Sequence, residues 1–118
     1  MNYENLLTEV LKFRDERDWG EFHSIQNLSA ALNVEASEIQ ELTLWKNQNE
    51  VSSDLTNPVF LNQLAGEVAD VFMYLIFLCD AADINVLIAV KEKLELNKKR
   101  FPIEDFKGKF SRANRKDI

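Results

Sequence analysis

Two acidic pairs stand out in this chain, Glu35-Ala36-Ser37-Glu38 and Glu67-Val68-Ala69-Asp70, each spaced i, i+3 within a stretch of apolar helical periodicity. On a helix that spacing puts both side chains on one face. A carboxylate on an apolar stripe costs several kcal/mol unless a cation or hydrogen bonds compensate it. Two such pairs facing each other form an oxygen-rich cage suited to a hard divalent cation, Mg²⁺ or Mn²⁺, because zinc favours Cys or His. A di-iron bundle would need Glu-x-x-His on two helices. The single histidine, His23, lies outside any such pattern. Taken one at a time, these carboxylates also read as members of a solvated helix face, and the repetition of the spacing is what favours a metal site.

The elements that must carry these groups are helical. Only 3 Gly and 2 Pro interrupt 118 residues, and apolar residues recur with helical period, which predicts an all-α domain of four to five helices. Tyr3, Leu6, Leu7, Val10 and Leu11 form the first amphipathic stripe, ended near Asp18-Trp19-Gly20. A loop through Phe22 and His23 leads to Asn27 as the expected N-cap of a second helix. Its inner stripe is Leu28, Ala31, Leu32, Ile39 and Leu42, and at ~100° per residue Glu35 falls on the midline of that stripe. Lys46 to Pro58 is polar and reads as a long connector. Leu61 to Ala82 reads as the central helix, apolar on more than one face, with Asp70 the only charge between Glu67 and Asp80. Asp83 or Asn85 can cap a last helix, carrying Val86, Val90, Leu94 and Asn97 toward Phe101 before Pro102.

The composition sets limits on function. A net charge of -6 argues against a general nucleic-acid-binding surface. The charge is uneven, with 4 Lys/Arg against 11 Asp/Glu in residues 1–60 and 10 against 9 in residues 61–118, so an acidic half and a basic end can serve one metal-plus-anion site. A lone cysteine, Cys79, fits a reducing compartment. No apolar run approaches the ~18 residues of a membrane span, and no signal-peptide pattern opens the chain. The expectation is a soluble cytoplasmic protein with a domain over residues 1–102 and a basic tail over 103–118.

Beyond the acidic pairs, the chain contains Phe13-Arg14-Asp15-Glu16-Arg17-Asp18-Trp19, Phe22-His23, Asn27-Leu28, Leu44-Trp45, Asp70 to Tyr74, and Lys93 with Asn97 to Pro102. Together with Glu35-x-x-Glu38, a gap of 28 residues and Glu67-x-x-Asp70, these segments resemble the MazG-like superfamily of all-α NTP pyrophosphatases, in particular its dCTP pyrophosphatase branch. The resemblance implies hydrolysis of a deoxynucleoside triphosphate between the α and β phosphates. It implies that Glu35, Glu38, Glu67 and Asp70 hold Mg²⁺, which neutralises phosphate oxygens and lowers the pKa of the attacking water. Glu35 or Glu38 would orient or deprotonate that water, and the sequence does not separate base from ligand.

The same resemblance assigns Lys93, Asn97 and Arg100 to phosphate and sugar, Tyr74 to the sugar, and His23 and Trp45 to the base, with Phe22 and Trp19 nearby in sequence. It also implies a homo-oligomer, a dimer or a tetramer built from two dimers. The breadth of the apolar surface on the Leu61 to Ala82 helix points the same way, because it exceeds what short neighbouring helices in one chain cover. Two departures concern the site. Ile25-Gln26 stands where related enzymes often have Pro and a basic residue, and Gly66 stands where many have a second glutamate. The alternative reading of the scaffold is a non-catalytic helical oligomerisation or nucleotide-sensing module.

Overall fold

The computed structural model of the chain describes residues 1–109, and none of these forms a strand. They divide into two compact units, one covering Met1–Ile84 and one beginning at Asn85. The first unit contains α1 (Tyr3–Asp15), a 3₁₀ turn (Trp19–Phe22), α2 (Ile25–Glu41), α3 (Gln48–Asp54) and α4 (Pro58–Ala81); the second contains α5 (Val86–Arg100) and the short α6 (Ile103–Phe106). The all-α expectation is met. No single helix among the described residues is long and apolar enough to cross a membrane.

Side-chain caps explain most of the helix starts. Asn2, Ser24, Asn47, Asn57 and Asn85 each accept a hydrogen bond from a backbone N–H in the first turn that would otherwise lack a partner. The cap of α2 is Ser24 rather than Asn27: Ser24 Oγ accepts from the Asn27 N–H at 3.1 Å, while Asn27 Nδ2 donates to the Phe22 carbonyl at 2.9 Å. Asn27 thus ties the helix to the preceding turn. The polar segment read as a connector contains α3, started by Asn47. Lys46 Nζ bridges to Asp54 Oδ2 at 2.6 Å across that helix and lies 5.2 Å from the centre of the buried Phe60 ring. Pro58 opens α4, where its missing N–H costs nothing.

The core of the first unit is small. Val10 from α1, Leu28 from α2, and Ile76 and Phe77 from α4 are buried together, with Leu6, Leu7, Leu11, Met73, Tyr74 and Leu78 packed around them. α2 lies along α4 as the main packing pair, and α1 crosses the end of α4. The predicted α2 stripe is borne out: Leu28 is buried and Ala31, Leu32, Glu35, Ile39 and Leu42 are all half-buried. By contrast, α4 leaves Val59, Leu61, Val68 and Phe72 between 42% and 66% exposed. In α5 the expected stripe holds in part: Val86 and Asn97 are half-buried, whereas Val90 and Leu94 are exposed and Lys93 and Arg100 are half-buried instead. In the segment expected to be a basic tail, α6 forms and its Phe106 ring packs edge-on to Phe101 at 5.1 Å; residues 110–118 of that tail lie outside the described residues.

Gly66, in the middle of α4, has nothing within 4 Å of where a Cβ would stand. Glycine inside a helix is about 1 kcal/mol worse than alanine. Gly66→Ala should therefore stabilise the protein by about that amount, read as a shift in the urea midpoint at constant slope. An unchanged or lower midpoint would mean that this flank is filled in solution.

Candidate active site

The antiparallel packing of α2 on α4 brings Glu35, Glu38 and Glu67 together. One carboxylate oxygen from each lies within 4.8 Å of the others, and all three residues are half-buried. Glu35 and Glu38 come from successive turns of one α2 face, and Glu67 meets them from α4 because the apolar stripes of the two helices seek each other. Glu35 Oε2 and Glu67 Oε2 are buried without a hydrogen-bond partner. Asp70 departs from the sequence expectation of a carboxylate in an apolar setting. It is exposed and does not complete the cluster, although its charge acts on both Glu35 and Glu67. It stands one turn along α4 from Glu67, on the same side of the helix.

The electrostatics follow from this crowding. Burial, then the charge of Glu38 and a hydrogen bond shared with it, then the charge of Asp70 push the Glu35 carboxyl above its ordinary value. The Glu67 carboxyl is raised to about 7, first by a hydrogen bond shared with Glu38, then by burial and by the charges of Glu38, Asp70 and Glu35. Three carboxylates this close repel one another, so a proton or another cation among them relieves the cluster. Two buried oxygens lacking donors, in a set made only of carboxylates, fit a hard divalent ion such as Mg²⁺ or Mn²⁺.

A second feature adjoins the cluster. Trp19, Phe22, His23, Asn27, Leu28, Ala31 and Tyr74 line a cleft of about 380 Å³. Ala31 is one turn before Glu35 on α2, and Tyr74 is one turn after Asp70 on α4, so cleft and carboxylates share the same helix pair. His23 packs its ring 4.8 Å from that of the buried Phe77, and Tyr74 meets Phe77 edge-on at 5.8 Å. Burial, then the positive charge of Arg14 hold the His23 imidazole below its ordinary pKa. It is therefore neutral at pH 7, and its buried Nδ1 has no hydrogen-bond partner within the chain.

The structure thus unites His23 with Tyr74, and Glu35 and Glu38 with Glu67. Trp45 does not join them: it sits beyond the end of α2 with a left-handed backbone and is 94% exposed. Lys93, Asn97 and Arg100 share one face of α5 in the second unit, where Asn97 Oδ1 is buried without a partner and the Arg100 guanidinium lies 5.1 Å from the Phe101 ring centre. Asn27 and Ala31 are cleft residues that the sequence presents as a cap and a core position. The only hint of their role is that they precede Glu35 by two turns and by one turn on the same helix.

The raised carboxyls have a consequence for stability. Glu67 keeps its proton up to about pH 7 in the folded chain but releases it near 4.5 in the unfolded one. Between those values the folded state binds more protons, so stability falls as pH rises through that window. In chelator, the melting temperature should drop from pH 5 to pH 8. Glu67→Gln should flatten that drop and melt higher than wild type at pH 8. A wild-type profile that is flat, or that rises, would contradict the crowded arrangement.

The chain is similar to known proteins. The model of the MazG-like family matches residues 30–113. The human protein named dCTP pyrophosphatase 1 is 35% identical over 91 residues, which are 77% of this chain and 54% of that one. The rat protein of the same name is 34% identical over 97 residues, 82% of this chain and 57% of its own. The chain therefore spans about half the length of the curated relatives it matches. The crystal structure of a pyrophosphatase from Archaeoglobus fulgidus superimposes with a TM-score of 0.77 at 37% identity, over 84% of this chain and 91% of that one. By sequence and by fold, this chain belongs to the MazG-like family.

Proposed function

We propose that this protein is a Mg²⁺-dependent nucleoside triphosphate pyrophosphohydrolase, acting on dCTP or a close deoxynucleotide, with a house-cleaning role in the cytoplasmic nucleotide pool. The observation that carries the reading is the adjacency of three converging carboxylates and an aromatic cleft on one helix pair. The names of the human and rat relatives and of the archaeal pyrophosphatase support the reaction class.

Glu35, Glu38 and Glu67 would hold the metal, with Asp70 beside them. A bound Mg²⁺ supplies charge neutralisation on the triphosphate and Lewis acidity at phosphorus. The chain's own residues do the rest. The exposed edges of Trp19 and Phe22 offer flat apolar surface for a base. The neutral His23 ring lines the cleft and would offer hydrogen bonding to a polar base edge. Tyr74 lines the cleft one turn beyond Asp70 on α4, where its ring would crowd a sugar 2′-hydroxyl. Glu35 or Glu38 takes the proton of the attacking water, a role suited to a carboxyl whose pKa is raised toward the operating pH, as it is for Glu35. Lys93, Asn97 and Arg100 are assigned to phosphate and sugar on their sequence motif. The broad exposed apolar surface of α4 favours a homo-oligomer, a tetramer in this reading.

Pyrophosphate and dCMP should appear when dCTP and Mg²⁺ are added, and not in excess chelator. Glu38→Gln should lower kcat by on the order of 10²-fold or more while leaving the helical circular dichroism intact. Trp19→Ala should raise KM for dCTP by the equivalent of about 1 to 3 kcal/mol of stacking. His23→Ala should narrow the preference for dCTP over other triphosphates. Wild-type turnover in Glu38→Gln, or full activity in chelator, would refute the metal assignment. Absence of any triphosphate hydrolysis would leave a non-catalytic nucleotide-binding module.

A further inference from the structure

Three of the seven cleft residues, Trp19, Phe22 and His23, come from the short connection between α1 and α2. That connection has no buried residue in its 3₁₀ turn and begins at Asp18, whose φ of 54° is left-handed. A segment with so little apolar burial needs another source of rigidity. Arg14, in the last turn of α1, provides one. Its side chain is only 13% exposed, its Nη1 donates to Asp80 Oδ2 on α4 at 2.6 Å, and its Nε donates to Asp15 Oδ1 at 2.9 Å. Over this guanidinium runs the turn itself, since a Cβ built on Gly20 would stand 3.8 Å from Arg14 Nε. Phe13 meets Trp19 edge-on at 5.5 Å, and Arg17 covers the Phe13 ring at 3.8 Å.

We propose that Arg14, locked to Asp80, is a positioning residue for the nucleotide base: it fixes the Trp19–His23 turn against α1 and α4 and so sets the shape of the cleft. The inference rests on the functional reading above. A planar guanidinium held by two carboxylates has one orientation, whereas a lysine at position 14 would reach only one of them. Arg14 touches no part of the carboxylate cluster. Its influence therefore falls on base binding and not on the hydrolytic step.

The test combines kinetics with one spectroscopic reporter. Arg14→Met and Asp80→Asn should each raise KM for dCTP roughly tenfold with kcat within about twofold, and the double variant should be no worse than either single one. Arg14→Lys should fall between wild type and Arg14→Met, and it serves as the second variant should Arg14→Met fail to fold. Because the chain has a single histidine, its imidazole resonance is unambiguous. The groups that face this ring are Arg14 from α1, Asp80 from α4 through Arg14, and Tyr74 across the cleft. In Arg14→Lys, which keeps the positive charge but not the two-carboxylate fork, the His23 midpoint without nucleotide should move up as the turn loosens and the ring loses burial. An unchanged KM and an unchanged His23 titration in a folded variant would overturn the proposal. If wild type hydrolyses no triphosphate, the functional reading falls on its own. The His23 titration of Arg14→Lys then still decides whether Arg14 holds the turn: an upward shift, with the charge retained, supports it and no shift overturns it.

Discussion

The contact between α2 and α4 is the constraint on which the rest depends. Burial of Leu28 against Ile76 and Phe77 is a strong local driving force, worth roughly 1.5 to 3 kcal/mol per fully buried side chain. It closes the two helices along their whole apolar stripes, including the turns where those stripes carry Glu35, Glu38 and Glu67. Close packing at one end of the helix pair therefore imposes carboxylate crowding at the other. Electrostatics alone would separate these groups, and the raised Glu35 and Glu67 pKa values express that conflict. A carboxylate cluster preformed in this way carries its destabilisation in the metal-free state and would be relieved by a cation.

The cleft obeys a different balance. Its floor is rigid, because Leu28 and Tyr74 belong to the packed helices, while its rim comes from a turn with no buried residue. Polar stitching replaces packing there: the Asn27 amide to the Phe22 carbonyl, and Arg14 beneath Gly20. Such contacts are directional, so they fix geometry at small cost in burial. This division suits a site that must keep its carboxylates rigid and admit a flat ring at its edge.

The acidic cluster was legible because i, i+3 spacing on an apolar stripe determines both face and neighbourhood, and Glu35 and Glu38 on α2 and Glu67 on α4 sit where that logic places them. Asp70 was not, since periodicity identifies an apolar face without saying what covers it. Asp70 shares the side of α4 that carries Glu67, yet one turn farther along it is exposed. The same ambiguity explains α5, where Val90 and Leu94 are exposed and the polar Lys93, Asn97 and Arg100 are the more enclosed. Asn27 was read as a cap because Asn and Ser are near equals in that role. Ser24 was decisive because it stands three residues ahead of the N–H that it accepts. α3 was hidden in a polar stretch since a seven-residue helix has too few turns to display a period.

The exposed apolar residues complete the physical picture. Among the described residues only five apolar side chains are buried, while Val59, Leu61, Val68 and Phe72 of α4 remain open to solvent. A core this small is a weak counterweight to chain entropy in a domain of this length. The missing stabilisation has a natural source in a second layer of helices laid on the open flank of α4. At ~100° per residue Asp70 lies on the opposite side of α4 from Leu61, Val68 and Phe72, so covering that apolar face would leave the surroundings of the carboxylates unchanged.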